Sequence, residues 1–332
     1  MNIERESTGR RWNETAIRGT VLAWTEADSG PIAVWAHPLC SSSLTPEAVG
    51  TYNWEPIAAG GRRLIRYDAR GHGRSGGRPK PADFSFENLA RDLLALIDVL
   101  SPQAPVAGIG MSLGAATLLH AAVLAPDRFE KLVLSAPPTA WDTRAAQKTL
   151  YASLAELVAD QGPAAVHSLL RDAPVPAPRQ GVPGPPLPDD VDERLLPSLL
   201  RGVGDSDLPP REFMARLRLP VLILPWADDP THPVSTAAEL ASPHPRLQAG
   251  DCPDHRRHPQ VGTGRGKLPR DLTSTNSLHP PTAADDRRRL HARPHHAKTA
   301  SHRSPPSPAA STGPTPRAPH RPPRRGGGHR RE

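Results

Sequence analysis

Aromatic side chains are scarce in this 332-residue chain. Phe, Trp and Tyr make up 4% of it, with only 3 Met and 2 Cys. Two thiols, Cys40 and Cys252, are too few for a disulfide framework. With His255 and His258 nearby, Cys252 offers only part of a metal site, and two unrelated thiols are the preferred reading. No apolar run reaches the roughly 18 residues of a membrane span. The opening MNIERESTGRRWNET lacks the apolar stretch of a signal peptide. A cytoplasmic protein with no membrane partner is expected.

What is plentiful is Pro, 42 residues of it, and it is unevenly placed. From Ser242 to Glu332 there are 16 Pro, 10 of the 15 His and no Phe, Trp, Tyr, Ile or Met. Such a segment cannot build a core and reads as a disordered tail. Its 18 Lys plus Arg against 6 Asp plus Glu give it a net +12, while the residues before it hold 23 basic against 28 acidic. The basic balance of the whole chain therefore belongs to the tail, not to the domain at 1–241. Without aromatics to stack on bases, the tail is not expected to take nucleic acid as its partner.

Within residues 1–241 short apolar runs alternate with helical patterns. GTVLAWTE (19–26) and PIAVWAH (31–37) read as two strands of a hairpin, 45–58 as a helix and RRLIRYD (62–68) as a strand. Ser85 opens a helix carrying Leu89, Leu93, Leu96, Ile97 and Leu100 on one face. A strand at 105–110, an Ala- and Leu-rich helix at 113–124 and a strand at 131–135 follow. Helical stretches at about 143–160, 163–171 and 190–203, broken by a Pro-rich segment, form an inserted cap over about 137–216. The strand PVLILP (220–225) and a short helix (235–241) end the foldable pattern. Alternation of this kind indicates a mostly parallel, doubly wound α/β sheet.

The chemistry centres on Gly110-Met111-Ser112-Leu113-Gly114. The Gly-x-Ser-x-Gly spacing is weakly specific alone, but here it lies between an expected strand and an expected helix, where a sharp turn lifts the Ser hydroxyl above the sheet edge. A helix-capping Ser in a Gly-rich turn is the bland alternative.

With HPLCSSS (37–43), YDARGHGRSGG (67–77), GMSLG (110–114) and PWADDPTHP (225–233) in this order, the region from about Gly19 to Ala241 resembles the α/β-hydrolase family. The resemblance implies a Ser-His-Asp acyl transfer on a small-molecule carboxylic ester or lactone, with no cofactor and no metal. It makes Ser112 the nucleophile and Asp229 the acid, with Asp228 the close alternative and Asp142 a distant third. The backbone amides of Leu39 and Leu113 become the oxyanion hole, with Pro38 standing where relatives carry Gly. His37 reads as a loop brace, and the 68–75 turn as structural, although Arg70, His72 and Arg74 together suit an anion.

The histidine is expected after a last strand, in the chain order Ser, acid, His. His255 falls at that distance, with His258 and His232 as further candidates. RLQAGDCPDH before it has no strand-like apolar run. Composition, periodicity and resemblance all fail near Ala241, which favours a slipped reading frame over an unusual closing sequence. The rival to an ester hydrolase is therefore a catalytically impaired hydrolase-fold protein, a binder or damaged product, without a positioned His. Perhydrolysis and C–C hydrolysis stay open beside it, as does the oligomeric state.

Overall fold

The structure, a computed structural model, describes residues 11–48, 50–171, 190–242 and 247–249. Eight strands form one sheet: β1 (Trp12–Ile17), β2 (Thr20–Ala27), β3 (Ile32–Ala36), β4 (Arg63–Tyr67), β5 (Val106–Met111), β6 (Phe129–Ser135), β7 (Val221–Leu224) and β8 (Leu247–Ala249). Their order is β1-β2-β4-β3-β5-β6-β7-β8. The first two pairings are antiparallel and the rest parallel. Helices are α1 (Thr45–Ala48), α2 (Glu55–Ala59), α3 (Phe86–Leu100), α4 (Leu113–Leu124), α5 (Arg144–Gln161), α6 (Pro163–Arg171), α7 (Leu196–Gly204), α8 (Arg211–Met214) and α9 (Val234–Ala241). This is the mostly parallel α/β sheet expected, with α5, α6 and α7 inserted between β6 and β7.

Helix α3 forms as its pattern requires. The Ser85 hydroxyl accepts the Asn88 amide at 3.2 Å, an N-cap, and Leu89, Leu93, Leu96 and Ile97 are buried. Together α3 and α4 cover one face of the sheet over a core that includes Val34, Ile65, Val106 and Leu132. On the opposite face Trp35 packs against Tyr52 and Trp54, with ring centroids 4.7 and 5.0 Å away, above Ile109 and Met111.

Three expectations are corrected. The hairpin is β1–β2, not 19–26 with 31–37: Arg18 and Gly19 take φ of 42° and 77°, the two positive values a tight two-residue turn needs. The link at 28–31 instead carries the chain across β4, which lies between β2 and β3. The helix expected at 45–58 is two short ones, because Gly50 turns the chain with a φ of 75° and Pro56 sits in the first turn of α2. The strand pattern also continues past Ala241, where β8 pairs Leu247, Gln248 and Ala249 with Val221, Leu222 and Ile223. Pairing is made by backbone groups and needs no apolar run. Beyond β8 the tail lies outside the described residues, as does the Pro-rich segment at 172–189.

Candidate active site

Strand β5 ends in a strained turn. Ser112 has φ 51° and ψ −110°, a region that L-residues seldom occupy, and Leu113 begins α4 directly after it. Two glycines make the turn possible. A Cβ on Gly114 would overlap the Ala36 carbonyl of β3, and one on Gly110 would lie 2.6 Å from the Gly114 carbonyl group. Strand, turn and helix thus close to backbone contact, and the Ser112 amide is held by the Ser135 carbonyl at 3.1 Å.

The loop after β7 comes to meet it. Asp229 Oδ1 accepts the Thr231 amide at 2.9 Å, and the Asp229 carbonyl accepts the His232 amide at 3.1 Å. This folds the loop back so that a side chain three residues on returns to the carboxylate. His232 Nδ1 lies 2.8 Å from Asp229 Oδ2, and His232 Nε2 lies 2.8 Å from Ser112 Oγ. With the carboxylate accepting, the ring proton sits on Nδ1 and Nε2 faces the hydroxyl as an acceptor. Burial opposes ionisation of Asp229, but hydrogen bonds from the His232 ring and from the Thr231 and His232 amides outweigh it, so the carboxyl is held below the usual range. Asp228 is exposed one residue away, and Asp142 pairs with Arg211 at 2.8 Å on the surface.

The histidine expected at 255 lies outside the described residues, as does His258. The one that reaches Ser112 is His232, named from sequence only as a further candidate. Its signal was the spacing Asp229-Pro230-Thr231-His232, where an Asp before Pro starts a turn. The distance past the acid that the family resemblance implies points farther along, to His255.

The expected oxyanion donors lie on segments that leave neighbouring strands. Ala36 pairs with Gly110, and Leu39 and Leu113 each follow that pair by three residues. As the first residue of α4, Leu113 has an amide without an intrahelical acceptor. The loop bearing Leu39 is tied down at three points. His37 Nε2 accepts the Ala69 amide at 2.9 Å, leaving Nδ1 to donate to the Pro38 carbonyl at 2.8 Å. His72 Nε2 accepts the Cys40 amide at 3.3 Å and its Nδ1 meets the Arg70 carbonyl at 3.0 Å. Asp68 accepts the Ser43 amide at 2.8 Å. Burial pushes both imidazoles down, that of His72 to about 3, so they serve as neutral acceptors. Arg70 is engaged by Asp92 at 2.7 and 2.9 Å, which makes the 68–75 turn a brace.

Among the described residues no group of three or more His, Cys, Asp or Glu could hold a metal ion, and no helix is long and apolar enough to cross a membrane. Residues 46–160 match a family model described as alpha/beta hydrolase fold. A curated protein of Caballeronia sordidicola named epoxide hydrolase is 33% identical over 132 residues, which cover 37% of this chain and 36% of that protein. The chain thus spans about a third of the length of the curated relative it matches. A solved structure of a thermophilic esterase from Thermogutta terrifontis superposes with a TM-score of 0.57 at 22% identity, covering 72% of this chain and 88% of that one. An esterase from Exiguobacterium antarcticum gives 0.56 at 19%, covering 71% and 88%. At these identities the likeness to the solved structures is one of fold. With the sheet order and the strained Ser turn, the match over residues 46–160 identifies this chain as one of α/β-hydrolase fold.

Proposed function

We propose that the protein is a serine hydrolase acting on a small carboxylic ester or lactone. The observation that carries this reading is the relay Asp229–His232–Ser112, with both hydrogen bonds at 2.8 Å. Ser112 Oγ attacks the acyl carbon as its proton passes to His232 Nε2, and the imidazolium that forms is stabilised by Asp229. The carbonyl electrons move onto oxygen, where the Leu39 and Leu113 amides receive them; one such donor contributes about 3–4 kcal/mol to the transition state. The C–O bond to the leaving group breaks as His232 returns the proton to it. Water, deprotonated by the same ring, then releases the acid and frees Ser112.

The relative named epoxide hydrolase raises a second substrate class, and the nucleophile argues against it. A Ser oxygen that opens an epoxide forms an ether, which has no carbonyl for water to attack, so the enzyme would stop after one event. A Ser oxygen that takes an acyl group forms an ester, which water can cleave. The test is labelling with a fluorophosphonate and turnover of p-nitrophenyl acetate. Wild type should label stoichiometrically, while Ser112→Ala should not label and His232→Ala should lose about 10²–10⁴-fold in turnover. Unchanged ester turnover in Ser112→Ala would defeat the proposal.

A further inference from the structure

The chain enters the inserted cap through the segment after β6 and leaves it through the segment after α7. One buried cation joins the two. Arg144, the first residue of α5, is 5% exposed. Its Nε donates to the Ser206 carbonyl at 2.6 Å and one terminal nitrogen to the Val203 carbonyl at 2.6 Å. The other terminal nitrogen reaches the Thr139 hydroxyl at 3.1 Å and the Thr139 carbonyl at 3.4 Å. The Phe86 and Tyr151 rings lie 5.0 and 5.9 Å from the guanidinium carbon. None of these bonds goes to a carboxylate. The charge is met by the Val203 carbonyl in the last turn of α7 and the Ser206 carbonyl just beyond it, with the field of the Asp207 carboxylate added, and only a planar fork can serve three directions at once.

The third direction leads to the catalytic loop. The Thr139 amide donates to the Thr231 carbonyl at 3.1 Å, and Thr231 directly precedes His232. Nearer the sheet, the Ala136 amide donates to the Leu224 carbonyl at 2.8 Å, so the segments after β6 and β7 run together as far as the relay. We infer that Arg144 is a positioning residue: through Thr139 it holds the acid loop at the height where His232 meets Ser112, and so makes the reaction depend on the seating of α7. The inference rests on His232 being the base.

The full-length chain is compared as wild type, Arg144→Lys, Arg144→Ala, Thr139→Val and His232→Ala, with fluorophosphonate labelling rate, kcat and KM as readouts and circular dichroism as a check of folding. A lysine keeps the charge but cannot span both sides of the cap neck. Since a misplacement of about 1 Å can cost about 10²-fold, Arg144→Lys should lose about 10- to 100-fold in kcat and in labelling rate with KM little changed. Added guanidinium salt should restore much of the rate of Arg144→Ala and none of that of His232→Ala. A folded Arg144→Lys that labels at the wild-type rate, while His232→Ala does not label, would overturn the positioning role. Should both Arg144 variants fail to fold, Thr139→Val removes only the hydroxyl acceptor, and an unchanged labelling rate there would overturn it equally. Wild-type labelling in His232→Ala would remove the base instead, and the inference with it.

Discussion

Three imidazoles lie on the loops after β3, β4 and β7, and their partners separate their roles. His232 has a carboxylate on one nitrogen and a hydroxyl on the other, an arrangement that can receive and return a proton. His37 and His72 each have an amide N–H on one nitrogen and a carbonyl on the other, with ring centroids 5.0 Å apart. Protonating either would place a second donor against an N–H. Their folded-state values lie below the unfolded histidine value near 6.5, with His72 at about 3. The unfolded chain therefore binds protons that the folded chain refuses, and stability rises with pH between about 3 and 6.5. His72 should contribute a slope of up to about 1.4 kcal/mol per pH unit in that window and none above it, and His37, also lowered by burial, acts in the same direction. Urea unfolding at several pH values, compared between wild type and His72→Gln, measures this. The amide oxygen of Gln can still accept the Cys40 amide, so the variant should stay folded and show the shallower slope. Identical slopes would mean that His72 is not excluded from protonation.

At the scale of elements, the elbow works because β3, β5 and α4 approach to backbone contact. Gly114→Ala would drive a methyl group into the Ala36 carbonyl, with backbone on both sides and no side chain able to move away. Overpacking of this kind costs about 1–3 kcal/mol or more, so the variant should unfold at distinctly lower urea or fail to accumulate as soluble protein. Unfolding at the wild-type midpoint would contradict the contact. Helix α3 was legible from its periodicity, and strands β4, β5 and β6 from short apolar runs bounded by turns. Strand β1 was not, since WNETAI has one fully buried residue, Ile17, and is placed by its turn and by pairing with β2. The hairpin was misassigned for a related reason: two apolar runs joined by a turn look alike whether they pair or straddle a third strand.

At the scale of the whole molecule, every group of the proposed relay lies at or before His232, upstream of the basic segment. If the reading holds, His255→Ala in the full-length chain leaves p-nitrophenyl acetate turnover within about two-fold of wild type, against the 10²–10⁴-fold expected for loss of a general base. A chain ending at Ala249 keeps β8 on the edge of β7 and should still label with fluorophosphonate. A loss in His255→Ala as large as in His232→Ala would move the base into the tail. The short β8 matters here, because an uncovered β7 would present a row of unpaired backbone groups and favour aggregation.

The alternation of strands and helices, the inserted helices, the elbow with Ser112, the proposed acid Asp229 and the compositional break near Ala241 were all present in the linear chain. Each depends on residues close together in sequence, where periodicity, glycine spacing and charge are read directly. The identity of the histidine was not of that kind. His232 and His255 both follow the acid, and choosing between them requires knowing how the loop after β7 folds back on Asp229 and where it stands against the end of β5. Those positions come from contacts 120 residues apart in sequence. The same holds for Arg144: the sequence by itself shows an arginine opening a helix, and only tertiary packing buries it between the Val203 and Ser206 carbonyls and against Thr139.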